Sequence, residues 1–69
     1  MTPQDELKLW AIEINKDWTL GYKADNNGNS LIVTFKSEEV ARINYNNGRY
    51  TVTGADKDAV GQLEYIVSQ

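Results

Sequence analysis

Apolar and polar residues alternate along the middle of this chain, and three turns interrupt the alternation without reversing it. The alternation runs from Trp18 to Thr53 and is broken at Asn27-Gly28, at 37–39 and at Asn47-Gly48. An Asn-Gly pair between alternating runs is the strongest short signal for a β-hairpin. Because side chains of a strand alternate between faces, a slip of one residue would turn a whole strand over. The pattern therefore predicts a four-stranded antiparallel meander with one apolar face.

Each predicted turn also determines which residues face one another across a hairpin. We expect a two-residue turn at Asn27-Gly28, a three-residue loop from Ser37 to Glu39 and a two-residue turn at Asn47-Gly48. With these turns every inner-face pair is apolar, which supports the register. The predicted pairs are Ala24 with Leu31, Tyr22 with Val33, Leu20 with Phe35, Phe35 with Ala41, Val33 with Ile43, Leu31 with Tyr45, Tyr45 with Tyr50 and Ile43 with Val52.

Helical periodicity marks both ends of the chain. Thr2 followed by Pro3, with Asp5 in the first turn, is typical of a helix start, and this helix is expected to run to about Lys16. A second helix is expected after Gly54, with acids in its first turn. The predicted core stripes are Leu7, Leu9, Trp10, Ala11, Ile12 and Ile14 in the first helix, and Ala59, Val60, Leu63, Ile66 and Val67 in the second.

These elements predict a two-layer α+β sandwich, in which the N-terminal and C-terminal helices pack on the apolar face of the sheet. The chain has 69 residues, which is enough for one domain spanning 1–69. Its hydrophobic content of 41% provides enough apolar surface to offset the entropy of the unfolded chain. We therefore expect a folded single domain.

The composition argues against an enzyme or a cofactor protein. The chain has no cysteine and no histidine, so it lacks thiolate and imidazole groups for metal binding and the commonest general base. The acid spacing matches no calcium loop, and the two Asn-Asn-Gly turns lack the lysine and following helix of a phosphate-binding loop. No nucleophile and base are evident together. We expect no catalytic, cofactor-binding or metal-binding residues.

Charge and hydropathy indicate a small acidic cytoplasmic protein. The segment MTPQDELKLW carries acids where a signal peptide has a basic start, and no run approaches the roughly 20 apolar residues of a membrane span. The formal net charge of -3 disfavours nonspecific binding to nucleic acid or anionic membranes. Within 18–54, however, four basic residues stand against three acids, so the sheet region is locally more basic than its flanks.

The uncovered face of the predicted sheet is the candidate binding surface. Lys36 and Arg42 are expected on central strands, where Thr34 would face Arg42 and the two basic residues would lie on a diagonal. Charge and threonine also suit a purely solvated sheet face, so this surface has a structural explanation as well. The candidate partner-binding residues are Lys23, Thr34, Lys36, Arg42, Arg49 and Thr51.

The leading functional hypothesis is a non-enzymatic module that binds a protein through this face or by adding a strand at a sheet edge. Size and composition fit an accessory regulator or inhibitor of the kind carried by phages and mobile elements. One alternative is nucleic-acid binding through the basic residues of the open face, although the predicted sheet points its aromatic residues inward. Another is a structural homo-oligomer assembled through edge strands.

Overall fold

The computed structural model describes residues 2–68, and its elements follow the predicted order of helix, four strands and helix. The strands form one antiparallel sheet in the order β1-β2-β3-β4, which confirms the α+β meander. The elements are α1 (Pro3–Asp17), β1 (Tyr22–Asn27), β2 (Ser30–Phe35), β3 (Glu38–Asn46), β4 (Arg49–Gly54) and α2 (Lys57–Val67).

Helix α1 begins as the sequence predicts. The Thr2 hydroxyl accepts a hydrogen bond from the Asp5 N–H at 3.2 Å, and the Asp5 carboxylate accepts one from the Thr2 N–H, which completes a capping box around Pro3. The predicted stripe was too wide, because Leu9 and Ile12 are 46% and 55% exposed. Helix α1 has a sheet on one side only, so these two positions face solvent.

Helix α2 is capped by Asp56, whose carboxylate accepts hydrogen bonds from the N–H groups of Asp58 and Ala59. Its core stripe is the predicted one, with Ala59 and Leu63 buried and the remaining apolar members half-buried. Both helices contribute to a single core on one face of the sheet. The buried members of this core are Leu7, Ala11, Ile14, Ala24, Leu31, Val33, Ala41, Ile43, Ala59 and Leu63.

The first hairpin differs from its predicted register by two residues. Its turn is Gly28-Asn29 instead of Asn27-Gly28, so Ala24 pairs with Val33 and not with Leu31. Gly28 has φ +60° whereas Asn29 has no positive φ, which fits the type II′ turn that requires glycine at its first central position. Because the difference is an even number of residues, the apolar face is preserved.

Strand β1 also starts later than predicted. The chain from Trp18 to Gly21 forms a turn, in which the Tyr22 N–H donates to the Thr19 carbonyl at 3.2 Å. Leu20 is 95% exposed, so its predicted pairing with Phe35 is wrong and Tyr22 takes that place. The Trp18 ring instead packs edge-on against Tyr22, with ring centroids 5.2 Å apart.

The second hairpin turns tightly at Lys36-Ser37, two residues with φ of +52° and +73°, and not through the predicted three-residue loop. Strand β3 consequently starts at Glu38 and carries a β-bulge at Val40, where the register shifts. The extra residue restores the inward direction of Ala41 and Ile43, so the apolar face survives although the predicted pairs of β2 with β3 do not. Val40 itself packs against the core.

The third hairpin has the predicted register. Asn47 and Gly48 have φ of +53° and +80°, as a type I′ turn requires, and Tyr45 pairs with Tyr50. Beyond the end of β4, the Val40 carbonyl accepts hydrogen bonds from the N–H groups of Ala55 and Asp56, both at 3.1 Å. The bulge in β3 thus anchors the segment that leads into α2.

Candidate functional site

Five of the six predicted site residues lie on the uncovered face of the sheet, which we call the open face. Rows of side chains cross this face according to the strand register. Thr34 pairs with Glu39, so the predicted pairing of Thr34 with Arg42 is wrong. The rows are Lys23, Thr34 and Glu39; Asp25, Ile32, Arg42 and Thr53; Asn27, Ser30, Asn44 and Thr51; and Asn46 with Arg49.

The open face is less basic than the sequence predicted. Lys36, the sixth site residue, lies in the tight turn and places its ammonium 5.3 Å from the centroid of the Phe35 ring. Glu39 joins the open face, and its carboxylate accepts a hydrogen bond from Arg42 Nη2 at 2.8 Å. The Arg42 Nε is buried without a hydrogen-bond partner. The expected central pair of Lys36 and Arg42 is therefore not formed.

The edge of the sheet at β1 is closed at Ala24 by a side chain of α1. Asn15 Oδ1 accepts a hydrogen bond from the Ala24 N–H at 2.8 Å, and Asn15 Nδ2 donates to the Ala24 carbonyl at 3.0 Å. The amide thus makes the two bonds that a neighbouring strand would make. The Tyr22 N–H is likewise bonded to the Thr19 carbonyl. These contacts occupy part of the row of outward N–H and C=O groups of β1 with which another strand could pair.

The edge at β4 is open. The closing pair of a two-residue hairpin, here Asn46 with Arg49, is hydrogen-bonded, and bonded pairs then alternate along the ladder. The hydrogen bond from the Ala55 N–H to the Val40 carbonyl continues this alternation beyond the end of β4. Tyr50, Val52 and Gly54 therefore direct their N–H and C=O groups away from β3. Within residues 2–68 these groups have no hydrogen-bond partner.

An apolar surface lies beside this open edge on the helix side of the sheet. A side chain placed on Gly54 would meet Val60 Cγ2 at 3.0 Å, so Val60 lies directly over the end of β4. Val67 follows two helical turns later on the same side of α2. Val52 of β4 pairs with the buried Ile43 and packs against the same core. All three are half-buried. We call Val52, Val60 and Val67 the apolar shelf.

Aromatic contacts hold the start of β4 in place. The centroid of the Tyr50 ring lies 5.0 Å from the ring centroids of both Trp10 and Tyr45. The Tyr50 hydroxyl donates a hydrogen bond to the Glu6 carboxylate at 3.0 Å. Burial, followed by the Glu6 hydrogen bond and charge, raises the pKa of Tyr50 to about 12. Desolvation, and then the charge of Asp56, raises the pKa of Tyr22, whose hydroxyl donates to that carboxylate at 3.3 Å.

A shallow depression of about 580 Å³ lies between Trp18 and one side of α2. Gly61 lines it, and apart from the adjoining backbone of α2 no atom lies within 4 Å of where a Gly61 side chain would begin. Gly61 therefore does not serve close packing of α2 against another element. Tyr65, which is 68% exposed, lines the same depression.

The contrast between the two edges was not predicted from the sequence. The signal for the β4 edge was present, because the Asn47-Gly48 turn determines which residues of β4 direct their backbone groups outward. Nothing in the sequence marked Asn15, whose position in a helical segment gives no indication of a contact with a strand. The β1 edge could be assessed only after α1 had been placed on the sheet.

Comparison with known proteins gives no relative: no family model, curated protein or solved structure matches this chain. Among residues 2–68 no group of acidic, histidine or cysteine side chains is arranged to hold a metal ion. Neither helix in the described part of the chain is long and apolar enough to cross a membrane.

Proposed function

We propose that this chain is a small, non-enzymatic protein-interaction module that binds an extended segment of a partner as a fifth strand beside β4. The observation that supports the proposal is the contrast between a β1 edge closed at Ala24 by Asn15 and a β4 edge whose outward groups at Tyr50, Val52 and Gly54 are unpaired within residues 2–68. In strand addition, main-chain hydrogen bonds supply affinity and alternate side chains supply specificity. A regulator or inhibitor of this kind would act by occupying a strand-forming segment of its target.

The surroundings of β4 define the partner segment that fits best. Its helix-side residues would be apolar, because they would lie against the apolar shelf. Its open-face residues would be polar, because they would lie beside the exposed Thr51 and Thr53. An acidic residue near Arg49 would add charge complementarity at the rim. The expected partner segment is therefore an alternating apolar and polar strand.

Nucleic-acid binding through the open face receives less support. Arg42 is engaged by Glu39, and Lys36 lies outside the strands. Bases of single strands usually stack on exposed aromatic side chains. The one strongly exposed aromatic side chain among residues 2–68, Tyr65, belongs to α2 in the opposite layer.

The proposal can be tested with random short peptides displayed on phage and selected on the immobilised chain. Selected peptides should alternate in polarity. They should also slow amide hydrogen exchange at Tyr50, Val52 and Gly54, because those N–H groups would gain partners. Protection confined to the open-face strands β2 and β3, or no enrichment of any peptide, would contradict the proposal.

Two proline variants provide a matched pair. Val52→Pro removes an outward N–H from β4, and Asn26→Pro removes one from β1, whose even-numbered residues point outward. Proline is tolerated on an edge strand where the N–H faces solvent. Val52→Pro should weaken peptide binding more than tenfold, while Asn26→Pro should leave it nearly unchanged. Circular dichroism would verify that both variants remain folded.

A further inference from the structure

We infer that the β4 edge binds β4 of a second copy of this chain, paired antiparallel about a two-fold axis at Val52. The inference rests on the proposed function, since it requires the edge to accept a strand. It adds the identity of one partner and the register of the pairing. The resulting particle would be a closed dimer with one continuous sheet.

The positions of the outward groups are symmetric about Val52. Two-fold pairing sets Val52 against Val52 of the second copy and Tyr50 against Gly54 of the second copy. Each of these pairs is of the hydrogen-bonded kind and exchanges an N–H and a C=O in both directions. Every outward group of Tyr50, Val52 and Gly54 would thereby gain a partner. A slip of one residue would set outward groups against groups already used in the ladder with β3.

Side chains of matching polarity meet in this register. On the helix side, Val52 lies beside its counterpart, and the large Tyr50 side chain lies beside Gly54, which has none. On the open face, Thr51 lies beside Thr53 of the second copy, and β-branched residues suit such cross-strand positions. Within the paired strand residues 50–54 no like charges face each other, because Arg49 lies beyond them.

The helices reach packing distance in the same arrangement. Helix α2 packs over β3 and β4, so the two copies of α2 would lie antiparallel and about two strand spacings apart, roughly 9–10 Å. This is close to the usual separation of packed helices, about 8–10 Å. Val60 and Val67, which are half-buried in one copy, would then be covered by the other copy.

The closure of β1 at Ala24 explains why the pairing would stop at two copies. Pairing of β4 with β1 of another copy would repeat without closing and would build a filament. Asn15 occupies both outward groups of Ala24, so β1 is a poor acceptor of a strand. Only the isologous pairing of β4 with β4 remains.

Light scattering and sedimentation of the purified full chain test the inference. The wild-type chain should have twice its monomer mass of 7.8 kDa, and Val52→Pro should have half the wild-type value. Asn26→Pro should remain dimeric. A wild-type chain that stays at 7.8 kDa up to millimolar concentration would overturn the inference.

Introduced thiols test the register independently of Val52→Pro, because the chain contains no cysteine. Thr51→Cys mixed with Thr53→Cys should form a disulfide-linked pair on mild oxidation. The predicted Cα separation of that non-hydrogen-bonded pair is about 4.5 Å, within the usual disulfide range. Each variant alone should cross-link at least tenfold less, because identical positions lie roughly 7–8 Å apart on the diagonal.

The outcomes separate the inference from the proposed function. Equal cross-linking of all combinations, or none in the mixture, would contradict the register. A monomeric chain whose β4 amides are protected by selected peptides would refute self-pairing and leave the proposed function standing. A monomeric chain that no peptide protects would refute both.

Discussion

Replacement of Asn15 by alanine tests how the fold closes one edge of its sheet. The substitution removes two hydrogen bonds to Ala24, each of which contributes about 0.5–1.5 kcal/mol net. Alanine is a better helix former than asparagine by roughly 0.6 kcal/mol, which offsets part of the loss. The expected decrease in the free energy of unfolding is therefore about 0.5–2.5 kcal/mol. Urea denaturation followed by circular dichroism measures it.

A local readout separates this effect from a general loss of helix stability. The Ala24 N–H is bonded by Asn15 and points away from β2, so its hydrogen exchange should accelerate well beyond that of its strand neighbours. Glu13→Ala changes an exposed residue of the same helix and should alter stability by less than about 0.5 kcal/mol. Unchanged exchange at Ala24, or a stability equal to that of Glu13→Ala, would show that the Asn15 amide does not act as a substitute strand.

Three further predictions concern single side chains. Gly61→Ala should raise the free energy of unfolding by about 0.5–1 kcal/mol in urea denaturation, because apart from the adjoining helix backbone the new methyl group meets no atom within 4 Å, and glycine disfavours a helix. Gly54→Ala should lower thermal stability, since its Cβ would collide with the Val40 carbonyl oxygen; an unchanged melting temperature would contradict this packing. The folded-state pKa of Tyr50, about 12, lies above the ordinary value of 10.0, so its stabilising contribution is complete below pH 10.0 and is lost as the pH rises towards 12. Stability measured across that window should fall less in Tyr50→Phe than in the wild-type chain; parallel curves would refute the assignment.

Local sequence signals were enough to predict the class of fold and the direction in which most side chains point. Period-two alternation identified the buried face of every strand, and the Thr2 cap located the start of α1. The Asn47-Gly48 turn predicted the register of β3 and β4, because a two-residue turn with positive φ at both positions admits one pairing. These features depend on residues close together in the chain, which is why the sequence alone contained them.

Alternation of apolar and polar residues could not distinguish strand registers that differ by two residues. Moving the first turn from Asn27-Gly28 to Gly28-Asn29 leaves every side chain on the same face. The tight turn at Lys36-Ser37 would have inverted β3, but the bulge at Val40 restored the pattern. Alternation shows only whether a slip is odd or even, so the choice fell to backbone conformation and packing.

The candidate site also depends partly on local sequence and partly on tertiary packing. The Asn47-Gly48 turn alone determines that Tyr50, Val52 and Gly54 direct their backbone groups away from β3. Whether those groups meet solvent, helix or another strand depends on where the helices pack. Only the tertiary structure brought Asn15 against Ala24 and left the outward groups of β4 unpaired within residues 2–68. A contact between a helix and a sheet edge arises from packing and leaves no periodic trace in the sequence.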